Sequence, residues 1–183
     1  MAKNYYIADL HLGHEKIIEL CSRPFSSIEE MDEALIAAWN KKVHKDDRVY
    51  IVGDLIYKSA TDPEKYLSRL KGKKYLILGN HDGDWLGKID EKKWFEEVSP
   101  MLTVNTGHGN GMLCHYPVID YRAKYLIHGH VHLRYGQDPT RVRRLGQTQV
   151  INVSQRYVLE IEDGDCPPRD KNRLIWKNGE PKW

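Results

Sequence analysis

Five short apolar segments of this sequence are each followed by residue types that bind metal ions. The segments cover residues 5–8, 49–52, 75–78, 111–114 and 125–127. The polar residues that follow them are Asp9 and His11, then Asp54, then Asn80, His81 and Asp82, then His115, and finally His130 and His132. Imidazole, carboxylate and amide side chains at strand ends are typical of a metal centre at a sheet edge. We therefore expect these residues to meet in the folded chain.

Asp9 and His11 are separated by one residue. Because side chains alternate along a strand, both would point to the same side and could bind one ion. A polar strand end that faces water explains this pair equally well. The prediction of a metal site therefore depends on the whole set of residues.

One catalytic ion needs roughly three or four protein ligands, and the candidate ligands are more numerous than that. They are Asp9, His11, Asp54, Asn80, His115, His130 and His132. Such a set suits two ions that share a bridging carboxylate, and its nitrogen and oxygen donors favour Mn, Fe, Zn, Co or Ni over Ca or Mg. Two ions about 3.5–4 Å apart can clamp the attacking and leaving oxygens of a phosphate ester. The chemistry predicted is hydrolysis at phosphorus.

The elements that must position these residues are predicted from apolar spacing and capping residues. Ser27 and Glu30 form a capping-box pattern that begins a helix. The apolar face of this helix is formed by Ile28, Met31, Leu35, Ala38 and Trp39. A second helix is predicted to begin at Thr61–Asp62–Pro63, between the strands at 49–52 and 75–78. This order of strand, helix and strand predicts parallel strands.

The second half of the chain is predicted to be richer in strands. Residues 102–115 are expected to form antiparallel strands around a turn at 107–110, and residues 85–95 to cover the core. Residues 149–153 and 157–161 are predicted to form a closing, hairpin-like pair. His128 is expected to be a packed strand histidine. A basic loop that holds Arg134, Arg141, Arg143 and Arg144 either binds the anionic part of a substrate or is solvated.

Size and composition predict one globular domain without a membrane segment. The 183 residues can bury roughly 70% of the unfolded surface, and we expect a domain over 1–162 with a tail, 163–183, that packs on it or extends from it. No apolar stretch approaches the ~18 residues that cross a bilayer, so a cytoplasmic location is expected. The net charge of +2 does not by itself imply a nucleic-acid partner. The cysteines, at 21, 114 and 166, contain no CxxC pair and are interpreted as buried or incidental thiols.

Taken together, the motifs resemble the calcineurin-like metallophosphoesterase superfamily. In chain order they are Asp9-x-His11, Gly53-Asp54, Gly79-Asn80-His81-Asp82, His115 and Gly129-His130-x-His132. The stretches from Asp9 to His14, Arg23 to Phe25 and Glu30 to Glu33, with Trp39-Asn40, also resemble a branch of small bacterial and phage phosphoesterases.

The resemblance implies an α/β (α+β) fold, a four-layer sandwich of two mixed β-sheets flanked by helices. It also implies two divalent metal ions as cofactors, with Mn²⁺ favoured. Asp9, His11 and His132 would bind one ion, Asn80, His115 and His130 the other, and Asp54 would bridge them.

The resemblance further implies that His81 stabilises charge or protonates the leaving oxygen, and that Asp82 orients His81. An imidazole suits proton transfer near pH 7. His14 and Arg23 are candidate substrate-binding residues, with a surface position as the alternative for Arg23.

Departures from the family pattern bear on the substrate. Protein phosphatases of the family continue the second motif as Gly-Asp-x-x-Asp-Arg-Gly, whereas here Leu55-Ile56-Tyr57-Lys58 follows Asp54. The chain also has little length for a capping domain. The function predicted is hydrolysis of a phosphodiester, nucleotide-like or nucleic acid, by a metal-activated hydroxide. The alternatives are a phosphomonoesterase, a nucleotide pyrophosphatase, a catalytically silent binding module or a structural metal site.

Overall fold

The computed structural model of the chain describes residues 2–118, 124–132, 142–145, 148–154, 159–160, 175–177 and 180–182. Its first half contains β1 (Asn4–Ile7), α1 (Lys16–Leu20), α2 (Ile28–Lys42), β2 (Arg48–Val52), α3 (Pro63–Leu67), β3 (Lys73–Ile77), α4 (Gly83–Leu86) and α5 (Glu91–Trp94). These are followed by β4 (Glu97–Ser99), β5 (Met101–Asn105), β6 (Asn110–Cys114), β7 (Tyr125–His128), β8 (Val142–Leu145), β9 (Thr148–Asn152), β10 (Leu159–Glu160), β11 (Ile175–Lys177) and β12 (Glu180–Lys182).

The strands form two mixed sheets and a small hairpin. The first sheet has the order β10-β1-β2-β3-β4, in which β1 to β4 are parallel and β10 is antiparallel to β1. The second has the order β5-β6-β7-β9-β8, with β6, β7 and β9 parallel and antiparallel strands at both edges. Strands β11 and β12 pair with each other. The predicted α/β fold with two mixed sheets is confirmed.

Alternation of side chains along β1 divides the core into two layers. Tyr5 and Ile7 pack with the helices on one face of the first sheet. Tyr6 and Ala8 point the other way and pack against strands of the second sheet, including Ile127 of β7. The helices of the described residues lie on the outer face of the first sheet, so the two sheets are in direct contact with each other.

Helix α2 begins and packs as its sequence predicts. The Oγ of Ser27 accepts a hydrogen bond from the Glu30 amide at 3.2 Å. The Glu30 carboxylate accepts from the amide and hydroxyl of Ser26, one residue before the bond that a capping box predicts. Met31 and Trp39 are buried on its inner face. No helix in the part of the chain that the structure describes is long and apolar enough to cross a membrane.

Other predicted elements are confirmed, with one correction. Strands β2 and β3 are parallel with α3 between them, and β5 and β6 form the antiparallel pair. The predicted pairing of 149–153 with 157–161 is wrong, because β9 lies between β7 and β8 and both of its edges are occupied. Strand β10 instead pairs with β1 in the first sheet. Of the predicted basic loop, Arg134 and Arg141 lie outside the described residues.

Replacing Ser27 with Ala should destabilise the fold through α2. The amide of Glu30 would lose its acceptor, which costs about 1 kcal/mol and lowers the melting temperature by roughly 2–4 °C. Ser27→Asp keeps an acceptor and is the matched control. Thermal and urea unfolding, both monitored by circular dichroism, measure the melting temperature and the urea midpoint of each variant. Equal midpoints for Ser27→Ala and the parent chain would show that this cap does not stabilise the helix.

Candidate metal centre

The candidate ligands lie at the carboxyl ends of parallel strands in both sheets. Asp9 and His11 follow β1, Asp54 follows β2, Asn80 follows β3, His115 follows β6, and His130 and His132 follow β7. The loops hydrogen-bond to one another. The Asp9 amide donates to Gly53 O at 2.9 Å, and the Gly129 amide donates to His115 O at 3.0 Å. Contact between the sheets therefore brings ligands from five strands to one place.

The backbone at this edge is strained. Asp9, His11, Asp54 and His130 all have positive φ, at 56°, 52°, 55° and 63°. For residues with a Cβ, this left-handed conformation costs roughly 1–2 kcal/mol each. Such strain persists where the surrounding structure enforces it, which is common at functional sites.

The motif glycines allow these loops to touch. A Cβ at Gly53, whose φ is +84°, would overlap the His115 ring. A Cβ at Gly79 would overlap the Asp54 carboxylate in the same way. Glycine is required here because the backbone of one loop passes directly against a ligand side chain of another.

One donor set is formed by Asp9, His11, Asp54 and His132. Their ligand atoms all lie within 4.8 Å of one another. The Nε2 of His11 is 3.2 Å from Nε2 of His132 and 3.7 Å from Oδ2 of Asp54. The Nε2 of His132 is 2.8 Å from Oδ1 of Asp9. Two imidazole nitrogens and two carboxylate oxygens thus face a common centre.

A second donor set adjoins the first at Asp54. The Nε2 of His115 lies 3.6 Å from the same Oδ2 of Asp54 and 3.1 Å from Oδ1 of Asn80. That amide oxygen is also 3.1 Å from Nδ1 of His130. The structure thus brings Asn80, His115 and His130 together, and Oδ2 of Asp54 lies close to both groups of side chains.

The electrostatics of the centre suit a cation. Asp9 and Asp54 are 0% and 1% exposed, so their charge needs a partner within the protein. Burial lowers the pKa of His11 to about 2, which keeps this imidazole neutral and able to bind a metal. Burial opposes the charged form of His132, but hydrogen bonds to Asp9 and Cys21 raise its pKa to about 9. A divalent ion would replace the proton that His132 holds beside Asp9.

Groups outside the two donor sets contact the imidazole rings of His115 and His132. The Nδ1 of His115 is 2.9 Å from Val52 O, so a proton on Nδ1 leaves Nε2 free as the ligand atom. The Nδ1 of His132 is 3.5 Å from the buried Sγ of Cys21. This thiol is buried, as expected, but it contacts a ligand histidine, which sequence spacing does not indicate.

Asp82 acts on the loops and not on the His81 ring. Its buried carboxylate accepts hydrogen bonds from the amides of Gly79 at 2.8 Å, Asp54 at 2.9 Å and Leu55 at 3.1 Å. The indole of Trp85 donates to the same carboxylate at 3.1 Å. The expectation that Asp82 orients His81 is therefore corrected, because its bonds fix the loops that follow β2 and β3.

Arg23 lies beneath the centre. It is 4% exposed, and its guanidinium donates to Asp9 O at 2.8 Å and to Leu10 O at 2.7 Å. The predicted substrate contact and the alternative of a surface position are both wrong for this residue. Arg23 instead holds the backbone that carries the first ligand.

His14, the other candidate for substrate binding, belongs to a cluster of aromatic rings. It is buried, and its ring centroid lies 5.6 Å from that of His11 and 4.7 Å from that of Tyr57. Burial lowers the pKa of His14 to about 4. The ring of Tyr57 in turn stacks on His81. The departure of residues 55–58 from the family pattern is the one sequence signal that draws attention to Tyr57.

Comparisons with known proteins identify similar chains and a family. An uncharacterized protein of Methanocaldococcus jannaschii is 36% identical over 140 residues, which cover 74% of this chain and 72% of that protein. The gene 66 protein of Mycobacterium phage L5 is 32% identical, with 72% of this chain and 78% of that protein covered. The crystal structure of a protein of unknown function from Aquifex aeolicus matches with a TM-score of 0.65 and 25% identity, over 84% of this chain and 90% of the other. The calcineurin-like phosphoesterase model matches residues 5–180, and the chain therefore belongs to this family of metal-dependent phosphoesterases.

Proposed function

We propose that this protein hydrolyses a phosphodiester, nucleotide-like or nucleic acid, at a centre of two divalent ions, with Mn²⁺ favoured. The observation that carries the proposal is the position of Asp54. Its Oδ2 lies 3.7 Å from Nε2 of His11 in one donor set and 3.6 Å from Nε2 of His115 in the other. A carboxylate shared by two donor sets is the arrangement that a two-metal site requires.

The donor chemistry supports a transition metal. Four imidazoles, two carboxylates and one amide, without a thiolate ligand, suit Mn or its neighbours better than Ca or Mg. Asp9, His11 and His132 would hold one ion, Asn80, His115 and His130 the other, and Asp54 both. When bound, the ions polarise the phosphoryl group and activate water near neutral pH.

The proposed proton donor to the leaving group is His81. Its side chain is 30% exposed, and its Nε2 lies 4.0 Å from Oδ2 of Asp54, the oxygen close to both donor sets. A proton on Nε2 could pass to the departing ester oxygen when the substrate brings that oxygen within about 2.6–3.2 Å. The amide of His81 donates to Oδ1 of Asp54 at 2.9 Å, which connects the proton donor to the bridging ligand.

The preference for a diester is supported by the position of Arg23. A phosphomonoester carries about one more negative charge than a diester, and enzymes commonly bind it with bidentate arginine. Arg23 is bonded beneath the loop after β1. Because Arg23 is 4% exposed and donates to the carbonyls of Asp9 and Leu10, its guanidinium is not presented to a phosphate group in the solvent.

A phosphomonoesterase or nucleotide pyrophosphatase is the second candidate. Lys58 favours this candidate. The residue is exposed, and its Nζ lies 5.0 Å from the centroid of the Tyr57 ring, which contacts the ring of His81. A lysine at this position could bind a further phosphate oxygen as a point charge. Retention of His81 and of every candidate ligand disfavours a silent binding module.

Purified protein should hydrolyse bis-p-nitrophenyl phosphate faster than p-nitrophenyl phosphate in Mn²⁺, and EDTA should abolish both reactions. Removal of the ions takes away the activated water, so Mn²⁺ added back should restore turnover. Release of p-nitrophenol measures both rates. A preference for the monoester would move the assignment to the second candidate, and turnover that survives EDTA would refute the metal-dependent reaction.

Asp54→Asn should impair both metal positions, whereas His130→Ala should impair one. Each loss of affinity should exceed the roughly 10–100-fold that follows removal of a second-shell partner, because a ligand itself is lost. Elemental analysis after dialysis counts the ions per chain. Asp84→Asn, at an exposed residue of α4, is the control. An Asp54→Asn protein that keeps one tightly bound ion would argue against a shared carboxylate.

His81→Ala should keep its metal content and lose turnover by roughly 10²–10⁴-fold, the usual contribution of a general acid. The control is His44→Ala, at an exposed histidine before the amino end of β2. Measurement of metal content beside kcat separates loss of the proton donor from loss of the centre. Unchanged kcat in His81→Ala would remove this residue from the mechanism.

A further inference from the structure

We propose that Tyr57 is the positioning residue that holds the His81 imidazole ready for proton transfer. The inference rests on the proposed function, in which His81 protonates the leaving oxygen. The ring centroids of Tyr57 and His81 are 3.7 Å apart and their planes are inclined by 32°. This distance is shorter than the 4.7 Å between the rings of Tyr57 and His14 and the 4.8 Å between the rings of His11 and His132.

Tyr57 is itself fixed by the loop that carries the first ligands. Its amide donates to Leu12 O at 3.2 Å, and the preceding residue, Ile56, forms a β-bridge with Leu12. The rings of Tyr57 and the buried His14 meet edge to face, with planes at 84° and centroids 4.7 Å apart. The Tyr57 ring that lies against His81 is therefore attached to the segment between Asp9 and His14.

Lys58 also contacts the Tyr57 ring. Its Nζ lies 5.0 Å from the centroid of the Tyr57 ring, within the range of a cation–π interaction. Its φ of 48° places a non-glycine residue in the left-handed region, at a cost of roughly 1–2 kcal/mol. The turn after Tyr57 thus keeps a strained conformation that puts a cation over this ring.

The His81 ring needs such a support because its hydrogen bond is made by its backbone. The amide of His81 donates to Asp54, while the neighbouring carboxylate of Asp82 is occupied by backbone amides and by Trp85. The imidazole also lies 4.0 Å from Oδ2 of Asp54 and 5.6 Å from the His11 ring, but it is 30% exposed and, without the Tyr57 ring, could adopt several rotamers. Stacking against Tyr57 selects one of them before the substrate arrives, and a misplacement of about 1 Å can cost 10²-fold in rate.

The kinetic test compares Tyr57→Leu with Tyr57→Phe on the phosphoester that the parent enzyme hydrolyses best. Tyr57→Leu removes the ring and should lower kcat about 10–100-fold, with KM and metal content unchanged. Tyr57→Phe restores the ring and should recover most of that loss. Tyr75→Leu, which removes a half-buried tyrosine stacked on Tyr50 in the sheet core, controls for general destabilisation.

A double-mutant cycle shows whether Tyr57 acts through His81. In a His81→Ala background, Tyr57→Leu should cause no further loss of kcat, because the ring it positions is already absent. An equal loss in both backgrounds, or a kcat that Tyr57→Leu leaves unchanged, would overturn the proposal.

Proton NMR tests the contact between Tyr57 and His81 without depending on turnover. In metal-free protein the ring protons of His81, assigned by their disappearance in His81→Ala, should lie upfield of ordinary histidine positions. Tyr57→Leu should move them downfield, and Tyr75→Leu should not. Failure of every phosphoester to turn over would refute the proposed function and the catalytic role of Tyr57 with it. A shift that Tyr57→Leu leaves unchanged would refute the stacking alone.

Discussion

The buried carboxylate of Asp82 accepts the hydrogen bonds that fix the loops of the candidate metal centre. They join the amides of Gly79 and Asp54, which belong to loops that follow adjacent parallel strands. Burial raises the pKa of Asp82, and the three backbone amides counteract that rise by stabilising its ionised form. Loss of this carboxylate would leave buried amides unpaired, each at a cost of roughly 1–3 kcal/mol. The position of Asp54, the proposed bridging ligand, is thus set by hydrogen bonds to the backbone.

Contact between the two sheets brings the loops joined by Asp82 together with the loops of the second sheet. Strands β1 to β3 end at the same edge as β6 and β7, and the inner core between the sheets leaves their loops in direct contact. The backbone strain at Asp9, His11, Asp54 and His130 is accompanied by hydrogen bonds between the loops. The amide of Asp9 donates to Gly53 O, that of His11 to Asp54 O, and that of His130 to the Asp9 carboxylate. The candidate ligands are therefore positioned by hydrogen bonds between the loops.

The sequence predicts which residue types gather but not how all of them are held. The ligands are predictable because each follows an apolar strand, and parallel strands place their carboxyl ends together. Arg23 is misassigned because its burial depends on the packing of α2 and the loop after β1, which no local pattern reveals. Asp82 follows His81 in the chain, yet its carboxylate turns to the backbone of another loop. The contact of Tyr57 with His81 joins residues from loops that follow different strands, so it appears only in the folded chain.

In the proposed reaction, one carboxylate oxygen of Asp54 joins two metal positions. Low-temperature electron paramagnetic resonance of the Mn²⁺-loaded protein distinguishes a bridged pair from isolated ions, because spins of ions about 3.5–4 Å apart couple by exchange. A shared Asp54 predicts the spectrum of a coupled Mn²⁺ pair at full occupancy, with isolated Mn²⁺ visible only when metal is limiting. A spectrum of isolated Mn²⁺ at full occupancy would contradict a bridged centre.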